Sequence, residues 1–268
     1  MSLAIVAAIA VLPSAAAFTR PLPVRPVLRH PAQSNRVPVA CAEQPSPLTV
    51  SPDSIVLLGI AGTIAAVHPV PPADLAFAVA YPYYLVVMNQ WRFDGNSVGA
   101  DREFVPLLRE GRGNWFKRYV LSFAFAGLLL PLPVVFGCFV FQLVPSAVSA
   151  AAAPHLLLTL VQCACEALTR SSSVHALVRL LIPIGFNAYR MGVLVAWSRA
   201  AVGMWCAKPW YVVQPWYLVA LILALTNLVM WTYNLFVFLL WRTVPQYLDQ
   251  TEFPTPPTEW DGELIPVV

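Results

Sequence analysis

Residues 120–144 read VLSFAFAGLLLPLPVVFGCFVFQLV, an uninterrupted run without a charged side chain. A helix needs about 20 apolar residues to cross a bilayer core of about 30 Å. In lipid every backbone N–H and C=O must be satisfied within the segment, so such a run folds as a helix or not at all. Pro131 and Pro133 each remove a donor and predict a kink within it. Five further apolar stretches flank this one, at 55–68, 75–88, 150–168, 174–197 and 216–241. The first two are short and separated by HPVPPAD, which reads as a helical hairpin or as one span plus a re-entrant segment. The expectation is an all-α, polytopic transmembrane bundle of about five or six spans.

Composition agrees. Charged residues make up 11% of the chain and hydrophobic ones 59%, with a mean hydropathy of +0.68, against about 25% charged in soluble domains. The net charge of +3 is uneven. Arg20, Arg25, Arg29 and Arg36 precede the first acid, Glu43, and beyond residue 41 there are 12 basic and 13 acidic residues. No basic patch remains for nucleic acid, so a nucleic-acid partner is not expected. The partner that composition implies is the lipid bilayer.

The front of the chain carries two different signals. Residues 3–12, LAIVAAIAVL, are too short to span, but suit the apolar core of a signal peptide, with Ala15 and Ala17 as its small-residue cleavage site. Residues 18–41 are rich in Arg, Pro and Ser and contain no acid, the composition of a transit peptide. Phe18 directly follows SAAA, and this order resembles the bipartite presequence of algae with secondary, red-lineage plastids. The resemblance implies passage through the endoplasmic reticulum, entry into the plastid, and a second cleavage within VPVACAEQ near Ala42. The division is then a signal peptide at 1–17, a transit-like segment at 18–41, a membrane domain at 42–242 with a polar loop at 92–118, and an acidic, Pro-rich tail at 243–268. Localisation follows as a plastid membrane, thylakoid or inner envelope; the alternative is a secreted or endomembrane protein in which a Pro-rich linker follows the signal peptide.

The loop at 92–118 holds Arg92, Arg102, Arg109, Arg112, Lys117 and Arg118. Basic residues in short loops stay on the side of insertion. That places the loop in the stroma, together with both termini if all six segments cross. Arg109, Arg112, Lys117 and Arg118 are candidate contacts for anionic headgroups. Interfacial anchoring by Trp115, Phe116 and Tyr119 beside Lys117 and Arg118 explains the same cluster. The stretch DGNSVGADR lacks the further Asp residues of enzymes that transfer phospho-alcohol groups, and Asp94-Gly95-Asn96 reads as a turn.

The most informative constellation lies in 150–197. On a helix Arg179 and Arg190, eleven apart, fall within about 20° of each other, and His175, Phe186 and Trp197 share their stripe, with Asn187 beside it. An Arg at the bilayer centre costs about 2.5–3.5 kcal/mol, so two need a polar surrounding. Glu166 is the natural partner of either. Glu166, Arg179, Asn187 and Arg190 form the candidate intramembrane cluster. Three readings are open: a structural ion pair between helices, an amphipathic helix lying in the interface, or a substrate or ion site. Pro183 and Gly185 permit a break in the helix. Asn227 and Asn234 lie seven apart on one face with Met230 and Trp231, suited to interhelical hydrogen bonds.

No catalytic or metal site is assigned and no cofactor is implied. Past residue 41 the histidines are His68, His155 and His175, too scattered for a histidine box. Neither a P-loop nor a GxSxG elbow occurs. Cys163 and Cys165 point to different sides of a helix. EALTR (166–170) has the wrong spacing for a light-harvesting helix and has no second copy. Residues 178–197, VRLLIPIGFNAYRMGVLVAW, resemble an uncharacterised multi-spanning membrane protein family of plants and algae through Arg179, Pro183, Asn187, Arg190 and Trp197; the resemblance implies no activity. The function expected is a non-enzymatic accessory or assembly component among other plastid membrane proteins. The alternative is a small-solute, ion or lipid carrier using the Arg/Asn/Glu cluster. A lipid-modifying enzyme would have to use Asp94, Asp101 or Glu103.

Overall fold

A computed structural model describes residues 51–93, 113–141, 144–170, 174–207, 215–245, 259–260 and 263–264. Residues 1–50, with the expected signal and transit segments, lie outside the described residues, as do Asp94, Asp101, Glu103, Arg109, Arg112 and most of the tail.

Each expected apolar stretch is a helix. α1 spans Pro52–Val67. Ser51 caps it by accepting the Ser54 N–H at 3.3 Å, Pro52 opens its first turn and Asp53 sits at the positive end of its dipole. It stops at His68, which is extended, as a residue before proline must be. α2 spans Pro72–Arg92. α3, Gly113–Ala124, passes through one wide turn at Phe125–Leu129 into α4, Pro131–Phe141. α5 spans Ser146–Arg170 and α6 spans Ala176–Cys206. α7, Pro215–Tyr233, continues as a wide (π) helix over Asn234–Thr243. Four of these rods, Arg118–Gly137, Ser146–Thr169, Ala176–Cys206 and Pro215–Thr243, are long and apolar enough to cross a membrane. The protein is an all-α bundle of integral-membrane character.

α5 is the axis of the bundle, with 78% of its span buried against 33% for the last helix. Its first half is small, with Ser149, Ala152 and Ala153 fully enclosed, which lets α1 and α4 approach its backbone closely. The Ser149 hydroxyl donates to the Val134 carbonyl across that contact at 2.8 Å. α2 runs antiparallel to α6: Tyr189 meets Asp74, Tyr81 meets Leu181, and the Asn89 side chain accepts the His175 N–H. Tyr119 on α3 bonds Asn234 at the end of α7. These pairings gather Arg92, Arg118 and Arg242 at one end of the bundle.

Several expectations are refined. The proline kink takes the form of the wide turn before Pro131: the ring lacks an N–H and crowds the preceding turn, and Leu130 bonds five residues back to Phe125. The helix of the third span starts at Gly113, so Lys117 and Arg118 lie inside it rather than in the loop. α6 runs unbroken through Pro183 and Gly185 for about 46 Å. It packs between α5 and α7 and is long and apolar enough to cross a membrane, which favours a span over the surface-lying reading. In the tail, Glu259–Trp260 pairs antiparallel with Glu263–Leu264, a ladder the composition of the tail did not foretell.

Candidate functional site

Along α6, Phe186, Asn187, Arg190, Leu194 and Trp197 recur at helical spacing and are all buried. Arg190 is 0% exposed. Its Nη1 donates to Asn187 Oδ1 at 2.6 Å, one turn back on the same helix. Its Nη2 donates to Gln162 Oε1 on α5 at 2.8 Å. The guanidinium carbon lies 3.9 Å from the Trp231 ring centre on α7, a cation–π contact that strengthens as water is removed. Gln162 passes the interaction on, its Nε2 donating to Glu166 Oε1 at 2.8 Å. The Gln162 amide thus links the Arg190 guanidinium to the Glu166 carboxylate.

A second polar layer follows from the backbone. Pro131 has no N–H to give the Gly127 carbonyl, and the Leu130 N–H is engaged by Phe125, which strips Ala126 as well. Side chains from neighbouring helices take both oxygens. His155 Nε2 lies 3.1 Å from the Gly127 oxygen, and Asn227 Nδ2 donates to the Ala126 oxygen at 2.9 Å. Asn227 also donates to Leu223 and accepts the Trp231 indole N–H at 3.1 Å, so its amide is fully used. Trp231 thereby joins the two layers. Gly127 makes room for it: a Cβ there would stand 3.0 Å from the indole. His155 stacks on Trp197 at 5.4 Å.

Of the cluster expected from sequence, Asn187 and Arg190 come together, and Glu166 joins through Gln162. Arg179 is half-buried, eleven residues away towards the start of α6. Arg118 is exposed at the end of the bundle, where its three proposed companions are not described by side chain. Gln162, His155 and Trp231 are the members that sequence reasoning did not place in the cluster. For Gln162 the signal was its four-residue spacing from Glu166. For His155 it was Pro131, which predicts an orphaned carbonyl on the facing helix.

Several polar atoms of the interior have no hydrogen-bond partner among the described residues: His155 Nδ1, Asn187 Nδ2, Arg190 Nε, Trp197 Nε1 and Ser198 Oγ. No group of three His, Cys, Asp or Glu side chains among the described residues is placed to hold a metal. Two surface grooves flank α6. One, of about 510 Å³, lies between the start of α2, the first turns of α5 and the second half of α6. The other, of about 430 Å³, lies where Ser198 and Arg199 face Leu228. Arg190, Asn187, Gln162 and Glu166 line neither.

Residues 50–251 match the family described as domain of unknown function (DUF7733), and the chain belongs to that family. No curated protein and no solved structure matches it.

Proposed function

We propose that the chain is an integral protein of a plastid membrane and serves there as a non-enzymatic accessory or assembly component. The observation that carries this reading is the closure of the Arg190 cluster. A guanidinium with no exposed surface, tied to Asn187, Gln162 and Trp231, is suited to fixing the register of three helices. A bundle held that way offers other proteins a rigid outer surface. The plastid address rests on Phe18 after SAAA and on the acid-free, Arg- and Pro-rich segment that follows.

The test is mild-detergent extraction of plastid membranes, native gel separation and mass spectrometry of what migrates with the chain. Co-migration with a larger photosynthetic or import complex is the expected result. Migration alone, or absence from plastid membranes, contradicts it. A carrier is the second reading, and one observation favours it: Asn187 Nδ2 and Arg190 Nε retain donors without partners among the described residues. Solute flux in proteoliposomes that disappears in Arg190→Gln would move the assignment to that reading.

A further inference from the structure

The groove of about 510 Å³ on the outer side of α6 has a chemistry the accessory reading does not use. Its floor is Gly192, Ala196 and Ala200, every fourth residue of the helix, and a Cβ on Gly192 would meet nothing within 4 Å. The trough is largely apolar, with Asp74 and Tyr189 as the polar side chains on its wall. Asp74 is 7% exposed, and its Oδ1 accepts the Tyr189 hydroxyl at 2.8 Å. Its Oδ2 takes no hydrogen bond from the described residues, yet it is not among the enclosed side-chain atoms. Asp74 lines the groove. Placement in the first turn of α2 favours an acid there through the helix dipole, but does not account for a carboxylate walled in by α5 and α6 with one oxygen unpaired. A buried carboxylate calls for a donor or a cation.

We propose that this groove binds the primary ammonium head of a long-chain amphiphile, with the ammonium on Asp74 and the apolar tail along Gly192, Ala196 and Ala200. A primary ammonium supplies both the charge and an N–H for Oδ2; a fully methylated one supplies no N–H. The volume lies in the range of about 300–1,000 Å³ usual for small-ligand sites. The shared chemistry fits a free long-chain amine or the headgroup of an aminophospholipid.

The full chain in nonionic micelles is heated with dodecylamine, dodecanol or dodecanoate, as wild type, Asp74→Asn and Gly192→Leu. Dodecylamine is expected to raise the wild-type melting temperature by about 5 °C near saturation, dodecanol and dodecanoate to leave it unchanged, and both substitutions to abolish the shift. Gly192→Leu fills the trough without touching Asp74, so it decides the matter even if Asp74→Asn does not fold. An equal shift in wild type and Gly192→Leu, or from dodecanol, overturns the proposal. Native mass spectrometry from phosphatidylcholine nanodiscs containing phosphatidylethanolamine separates the sources. One retained phosphatidylethanolamine, lost in Gly192→Leu, assigns a lipid headgroup. None retained, with a selective dodecylamine shift, assigns a free amine. No selectivity in either arm overturns the site.

Discussion

Arg190 holds its guanidinium carbon 3.9 Å from the centre of the Trp231 ring, so the one charge at the heart of α6 is covered by an aromatic face from α7. Its two hydrogen bonds tie it to α5 and to its own helix. The three helices meet at this side chain.

Replacing Arg190 by Leu leaves the Asn187 and Gln162 oxygens without donors in a dry interior. The expected loss is about 2–4 kcal/mol, from two unsatisfied groups and the lost ring contact. Arg190→Lys restores the charge without the planar fork and recovers only part of it. Denaturation in mixed micelles measures both; an unchanged midpoint in Arg190→Leu contradicts the structural role.

His155 and Pro131 form a second dependence. His155→Ala removes the donor to the Gly127 carbonyl and is expected to cost about 1–3 kcal/mol. Pro131→Ala supplies an N–H within the helix, so the same His155→Ala change costs less in that background. A double-mutant cycle on unfolding midpoints reads the coupling; additive losses contradict it.

Gly185 faces the Tyr81 hydroxyl so closely that a Cβ there overlaps it, and that hydroxyl donates to the Leu181 carbonyl at 2.6 Å. Gly185→Ala is therefore expected to destabilise by about 1–3 kcal/mol by forcing Tyr81 away. Gly203→Ala, with nothing within 4 Å of the added carbon, is expected to be neutral or slightly stabilising. Equal effects at the two glycines contradict the packing of α2 on α6.

The helical bundle was legible because hydropathy and length alone force each long apolar run to close its own hydrogen bonds. Arg190 and Asn187 were legible as well: an Arg in an apolar run has to find polar company, and Asn187 is one turn away. The bridging role of Gln162 was not, because it depends on how α5 and α6 are rotated against each other, which no local pattern fixes. Pro183 and Gly185 permitted a break, but α6 continues through both, packed between α5 and α7. The partnership of His155 with Gly127 needed two facts from different helices, a missing N–H on one and a donor on the other. Asp74 carried no signal in the sequence, because the groove it lines is made by residues of α5 and α6 far from it along the chain.

The claim on which the functional reading stands is that the polar interior around Arg190 is closed to water. Thr159 lies on α5 between His155 and Gln162, 4% exposed, and cysteine there is nearly isosteric. With the native cysteines replaced, Thr159→Cys in intact membranes should resist a membrane-impermeant maleimide and react only after denaturation. Rapid labelling of the native protein, blocked by a permeating solute, would contradict a sealed scaffold and make the cluster a transport path.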